Sequence, residues 1–111
     1  MNDALVILWA TENKDTFNKL IYLYAKNSMR NDWWKNIKII IWGPSQQLIN
    51  DEEVKNKIVE LKNVGVEIEV CKWCSDSYNV TEKFEEIDVN PIYMGEPLTK
   101  YLKEDVKVMT F

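Results

Sequence analysis

The stretch IKIIIW, residues 37–42, decides the fold. It is a nearly continuous apolar run rich in isoleucine, which is typical of a strand that is covered on both faces. A second run of this kind, ALVILWA, occupies residues 4–10. Strands covered on both faces occur almost only in parallel sheets with helices above and below. The two runs therefore predict the centre of a parallel sheet.

Three further runs complete a predicted set of five strands. They are VEIEVC at residues 66–71, DVNPIYM at 88–94 and VKVMTF at 106–111. The first and last of these three alternate between apolar and polar residues, which indicates positions nearer a sheet edge. Helical spacing of apolar residues appears in four intervening segments. The first contains Phe17, Leu20, Ile21 and Tyr24; the second Val54, Ile58 and Leu61; the third Val80, Phe84 and Ile87; and the fourth Leu98, Tyr101 and Leu102.

Local signals place the ends of these helices. Asp15 or Thr16 is expected to cap the first, and Gly65 to end the second in a left-handed conformation. Asn79 either caps the third helix or closes the preceding turn in the left-handed region. The last helix is expected to begin near Glu96 and Pro97. The alternation of strands and helices predicts one α/β domain over residues 1–111, with three layers, five mostly parallel strands, helices on both faces and a flavodoxin-like topology.

Composition narrows the classes of function. The 111 residues carry a mild net charge of −4 with no basic stripe, which argues against nucleic acid as a partner. No segment approaches the roughly 20 apolar residues that span a bilayer, so no membrane association is expected. The N-terminus lacks the pattern of a secretory signal, and we expect a cytoplasmic protein whose thiols stay reduced. In that compartment a pair of cysteines is more often catalytic or metal-binding than structural.

Ligands of open α/β sheets bind at the carboxyl ends of the strands. In this sequence those ends carry a concentration of tryptophans, glycines and both cysteines. Aromatic side chains beside a reactive group are a usual pocket lining. The predicted pocket residues are Trp9, Thr11, Trp42, Gly43, Lys72, Trp73, Met94 and Gly95, around candidate catalytic thiols at Cys71 and Cys74.

Several chemistries are open to the two cysteines. If a helix begins at Cys74, its free N–H groups and the nearby Lys72 favour a thiolate there, whereas Glu69 and Asp76 oppose it. The chain has two Cys and no His, so a structural zinc site would need ligands shared between subunits, and neither a metal nor another cofactor is predicted. A Ser-His or Cys-His nucleophile is excluded within one chain.

Two other classes of site fit less well. A thioredoxin-like Cys-x-x-Cys is expected early in its fold, whereas here two strand-helix units precede it. The loop WATENKDTF, residues 9–17, lacks the glycines of a dinucleotide or P-loop fingerprint.

Three motifs in this order and spacing resemble the DsrE/DsrF-like family, in particular its small single-domain members. They are WGPS at residues 42–45, CKWCSDSYNV at 71–80 and YMGEPLTKYL at 93–102. The resemblance implies a five-stranded α/β fold, assembly into trimers or hexamers, and a cysteine after the third strand that carries sulfur as a persulfide. Counted back from Asn79 and Val80, that family cysteine falls at Cys71, and Cys74 matches a second cysteine of some branches.

Two hypotheses of function follow. In the first, the protein is a cysteine-persulfide sulfur carrier or a thiol-redox protein that meets a sulfur donor and a sulfur acceptor. In the second, it is a non-catalytic oligomeric module that binds a small ligand or a protein, and its cysteines are structural. For the adjacent Trp33 and Trp34 two interpretations stay open: one of them seals the end of the first helix, or an exposed one marks a subunit interface, as the second hypothesis requires, because tryptophan is enriched in buried interface cores. The sequence does not decide whether the protein is an enzyme.

Overall fold

Four parallel strands form the centre of the protein in the computed structural model, which describes residues 3–111. They are β1 (Ala4–Trp9), β2 (Asn36–Ile41), β3 (Glu67–Val70) and β4 (Lys107–Thr110), in the order β3-β2-β1-β4. The two apolar runs are the central strands and the two alternating runs flank them, as the sequence predicts. Met1 and Asn2, the first residues of the predicted domain, lie outside the described residues.

The predicted strand at residues 88–94 is wrong, and the sheet has four strands rather than five within the described residues. Only Ile92 pairs with the sheet, through a single parallel bridge to Cys71. Two local features explain the loss. Asp88 has a left-handed φ of 59°, and Pro91 has no N–H to donate to a neighbouring strand.

Helices cover both faces of the sheet, which confirms the predicted α/β class. They are α1 (Lys14–Thr16), continued by a π-helical turn (Phe17–Ile21) into α2 (Tyr22–Arg30), a 3₁₀ helix (Gly43–Asn50), α3 (Glu52–Asn63), α4 (Lys72–Ser77), α5 (Thr81–Glu85) and α6 (Gly95–Lys103). Among the described residues, no helix is both long enough and apolar enough to cross a membrane.

Strand order decides which face each helix covers. The chain passes from β1 to β2 to β3 in one direction, so its right-handed crossovers leave the intervening helices on one face. It then returns across the sheet to β4 on the far side of β1, which leaves α6 on the other face. Doubly wound layering of the kind expected for a flavodoxin-like fold is thus present. However, β3 lies beside β2 here, whereas the order of flavodoxin itself places the third strand beside the first.

Side-chain caps position the helices on the sheet. Asp51 Oδ1 accepts hydrogen bonds from the backbone N–H groups of Glu53 and Val54, at 2.9 and 3.3 Å, and so starts α3. The first helix is capped by Asn13, two residues before Asp15, the nearer of the two predicted caps, because Asn13 Oδ1 accepts from the N–H of Thr16 at 2.9 Å. Asn79, at a φ of 58°, closes the turn after α4, which was one of the two alternatives.

The two faces of the sheet carry cores of different size. The larger core lies under α2, α3 and α5, and Trp9 stacks there on Phe17 with ring centroids 4.4 Å apart. The smaller core contains the buried side chains of Val6, Ile40, Cys71 and Met94, with α6 packed against them. Cys71 therefore lies on the thinly covered face of the sheet.

We expect Gly65→Ala to lower the free energy of unfolding by about 1–2 kcal/mol. Gly65 has a φ of 103° at the end of α3, and an added Cβ would lie 3.1 Å from Cε of Met29. Gly95→Ala is the matched control, because Gly95 begins α6 without a positive φ and has open space around it, so its alanine should be neutral or stabilising by up to about 1 kcal/mol. Urea unfolding measures both changes, and equal effects of the two substitutions would contradict the backbone argument.

Candidate functional site

The start of α4 brings the two cysteines together. Cys71 is the N-cap residue, with an extended backbone (φ −70°, ψ 118°), and Cys74 is the third residue of the helix. Side chains at these two helix positions turn toward each other, as in a capping box. Here Cys74 packs against the small core that contains Cys71, and both thiols are free. Sequence alone could not say whether the two thiols faced each other.

The two thiols differ in their access to solvent. Cys71 is 4% exposed and belongs to the smaller core, whereas Cys74 is half-buried at the edge of that core. A reagent that approaches from solvent therefore meets Cys74 first. The exposure of the thiols favours Cys74 as the entry point, whereas the position of the family cysteine favours Cys71.

Burial raises the pKa of the Cys74 thiol above its ordinary value. The neighbouring Cys71 thiol raises it further through charge and hydrogen bonding. In the opposite direction, the nearby backbone N–H of Gly43 and indole N–H of Trp42 favour the thiolate and lower the pKa of Cys74. Burial and Cys71 outweigh these two donors, so Cys74 is mainly a neutral thiol at neutral pH, and its thiolate fraction increases as the pH rises.

A short polar segment after β2 holds the strand ends at this site. Ser45 Oγ donates to the carbonyl oxygen of Trp9 at 2.6 Å, which ties the 3₁₀ helix to the end of β1. Gln46 Nε2 donates to the carbonyl oxygens of Ile41 and Cys71, both at 3.0 Å, which ties the end of β2 to the end of β3. Both side chains are fully buried. The sequence analysis did not single out Gln46, although two polar residues directly after Gly43 and Pro44 at the end of a buried strand were an available signal.

The structure gathers some of the predicted pocket residues around the thiols. The N–H groups of Trp42 and Gly43 lie near Cys74, and Met94 is buried in the same core as Cys71. Gly95 follows Met94 as the exposed first residue of α6.

Other predicted pocket residues lie apart from the thiols. Trp9 is buried in the larger core on the opposite face, and its indole N–H donates to the carbonyl oxygen of Thr11 at 2.9 Å. The ammonium of Lys72 is paired with Asp76 at 3.2 Å, and the side chain of Trp73 is 69% exposed.

Three of the cavities on the described surface are lined by residues other than the two cysteines. One of about 360 Å³ lies beside Asp76 and Glu82, one of about 350 Å³ lies between Lys38 and Tyr101 near the amino ends of the strands, and one of about 520 Å³ follows α6. A tryptophan-lined pocket around the thiols stays a prediction. Within residues 3–111, no group of three or more His, Cys, Asp or Glu side chains is placed to hold a metal ion.

The pKa of Cys74 should move in opposite directions when its two kinds of neighbour are removed. We expect Cys71→Ala to lower this pKa, because the substitution deletes a thiol that raises it, and Trp42→Phe to raise it, because the substitution deletes an N–H group that favours the thiolate. Peptide-resolved alkylation rates against pH measure both shifts.

Trp73→Phe is the matched control for loss of an indole, since Trp73 is mostly exposed, and it should leave the alkylation profile unchanged. Shifts of the Cys71→Ala and Trp42→Phe variants in the same direction would contradict this description of the site.

Comparisons with known proteins identify the family. The family model described as the DsrE/DsrF-like family matches residues 10–111. A conserved protein of unknown function from Bacteroides thetaiotaomicron is 40% identical in sequence with a TM-score of 0.95, over 98% of this chain and 95% of that one. The YchN protein of E. coli shares the fold, with a TM-score of 0.71 at 13% identity over the whole of both chains, and no curated protein sequence matches. The chain belongs to the DsrE/DsrF-like family.

Proposed function

We propose that the protein is a cysteine-based sulfur carrier in which Cys74 receives the sulfur atom and Cys71 acts as the second thiol. The observation that carries this proposal is the pair itself, a half-buried thiol packed against the small core that contains the second, buried thiol. Membership of the DsrE/DsrF-like family supports the same chemistry.

Sulfur transfer to Cys74 is a displacement at sulfur. The Cys74 thiolate attacks the outer sulfur of a donor persulfide, R–S–SH. A new S–S bond forms at Cys74, the S–S bond of the donor breaks, and the donor leaves as the thiolate R–S⁻. Because the pKa of Cys74 is raised, its thiolate is scarce at neutral pH but is a strong nucleophile once formed. Transfer is therefore expected to be slow with small persulfides and to accelerate as the pH rises.

A persulfide on Cys74 can release its outer sulfur atom by two routes. An acceptor thiolate from a partner can attack the outer sulfur and take it, which regenerates the Cys74 thiolate. Alternatively, the Cys71 thiolate attacks Sγ of Cys74, which forms the Cys71–Cys74 disulfide and expels the cargo as HS⁻. The second route links the carrier to thiol-redox chemistry, since an external dithiol must then reduce the disulfide. The partners of this cycle are a sulfur donor and a sulfur acceptor in a reducing cytoplasm.

Intact mass spectrometry after exposure to cysteine persulfide tests the carrier proposal. We expect Cys71→Ser to gain the mass of one sulfur atom and to lose it on treatment with reductant, whereas Cys74→Ser gains none, because Cys71 is shielded from the donor. Wild type is expected to gain less than Cys71→Ser, since Cys71 expels part of the cargo. Sulfur uptake by Cys74→Ser equal to that of Cys71→Ser would contradict the assignment of Cys74, and the absence of uptake in every sample would contradict the carrier function.

A second candidate function, an oligomeric binding module, is favoured by the exposure of Trp33. This side chain is 57% exposed beside Tyr24, with ring centroids 6.2 Å apart. Its neighbour Trp34 packs against the larger core and donates its indole N–H to the hydroxyl of Tyr24 at 2.9 Å. We therefore propose that Trp33 belongs to a homo-oligomer interface, in a trimer or hexamer, while Trp34 has a structural role.

Size-exclusion chromatography at dilute concentration tests the interface. We expect Trp33→Ala to elute as a smaller species than wild type with its thermal stability nearly unchanged. Trp34→Ala is the contrasting variant, and it should lower stability by about 3 kcal/mol or more because it truncates a packed side chain. Identical elution of Trp33→Ala and wild type would remove Trp33 from any interface.

A further inference from the structure

The side-chain amide nitrogen of Gln46 makes two hydrogen bonds that the backbone does not need. Its amide nitrogen donates to two carbonyl oxygens that already have backbone partners. Ile41 O accepts from the N–H of Cys71 at 3.2 Å, and Cys71 O accepts from the N–H of Ser75 at 3.0 Å. The two bonds from Gln46 are thus additional to the backbone network, and they are not needed to satisfy either carbonyl.

The oxygen of the same amide has no such partner in the described part of the chain. Gln46 is fully buried, and its Oε1 has no hydrogen-bond partner among the described residues. A buried acceptor without a partner is unfavourable, and an apolar side chain of the same shape would avoid that penalty. The two bonds made by Nε2 therefore act on the relative position of the ends of β2 and β3.

The position of the two carbonyls shows what that geometry controls. Ile41 is the last residue of β2 and directly precedes Trp42, which packs against the same small core as Cys74. Cys71 follows β3 and is the N-cap of α4, which carries Cys74. One amide therefore joins the segment that holds Trp42 to the segment that holds the thiols, at the point where the two strands end.

We propose that Gln46 is the positioning residue of the thiol pair: by clamping the carbonyls of Ile41 and Cys71, it holds the Cys71 and Cys74 thiols in disulfide-forming register. This inference rests on the proposed function, because a pair without redox or sulfur-transfer chemistry would not need such alignment. Gln46 touches neither cargo nor partner in this proposal, and it acts only through the backbone of the thiol segment.

The reduction potential of the Cys71–Cys74 disulfide tests this role. We expect Gln46→Met, which keeps the volume but donates no hydrogen bond, to lower the equilibrium constant for disulfide closure in glutathione buffers by about tenfold, a potential about 30 mV higher than that of wild type. Ile58→Val is the control, since Ile58 is buried in the larger core on the opposite face of the sheet and loses one methylene group there. It should lower thermal stability without changing the potential.

The possible outcomes separate the two proposals. A Gln46→Met potential equal to that of wild type, with a loss of stability like that of Ile58→Val, overturns the positioning role and leaves the carrier proposal intact. If Gln46→Met does not fold, Gln46→Leu takes its place, because its side chain also donates no hydrogen bond and buries no unpaired charge, and the same shift is expected. A wild type that forms no intramolecular disulfide overturns the positioning role, whereas sulfur uptake is judged separately by mass spectrometry.

Discussion

The junction between the ends of β2 and β3 is the contact on which the rest of the site depends. Parallel strands diverge where their ladder of hydrogen bonds stops, and here the last bond joins the N–H of Cys71 to the carbonyl of Ile41 at 3.2 Å. The Gln46 amide bridges the same two residues from the side. Beyond this point the chain after β2 becomes a 3₁₀ helix and the chain after β3 becomes α4. Trp42 and the two thiols, which follow separate strands, are thereby held at the same small core.

The unequal covering of the two faces explains why a thiol pair lies here. On one face three helices bury a large core, including the stacked rings of Trp9 and Phe17. On the other face α6 packs against the sheet with Cys74 of α4 at the edge, so Cys71 is buried beside Met94 while Cys74 remains accessible.

At the amino ends of the strands, polar side chains of β2 and β3 contact Tyr101 of α6. The hydroxyl of Tyr101 donates to Glu69 at 2.9 Å, and the ammonium of Lys38 lies 3.5 Å from the same carboxylate. Burial raises the pKa of Tyr101, which keeps its hydroxyl protonated and able to donate. These polar contacts join α6 to the sheet beside the cavity between Lys38 and Tyr101.

Sequence by itself determined the α/β class, the two central strands, the edge character of their neighbours and the family, because these depend on the periodicity of apolar residues and on local motifs. Tertiary structure decided the rest. The segment at 88–94 has strand-like residues, yet Pro91 and the left-handed Asp88 reduce it to one bridge. Trp9 ends a strand as predicted but faces away from the thiols, because side-chain direction alternates along a strand and only the register tells which face is which. The contact between Cys71 and Cys74, and the role of Gln46 beside it, likewise depend on where strand pairing stops and α4 begins, which no periodicity encodes.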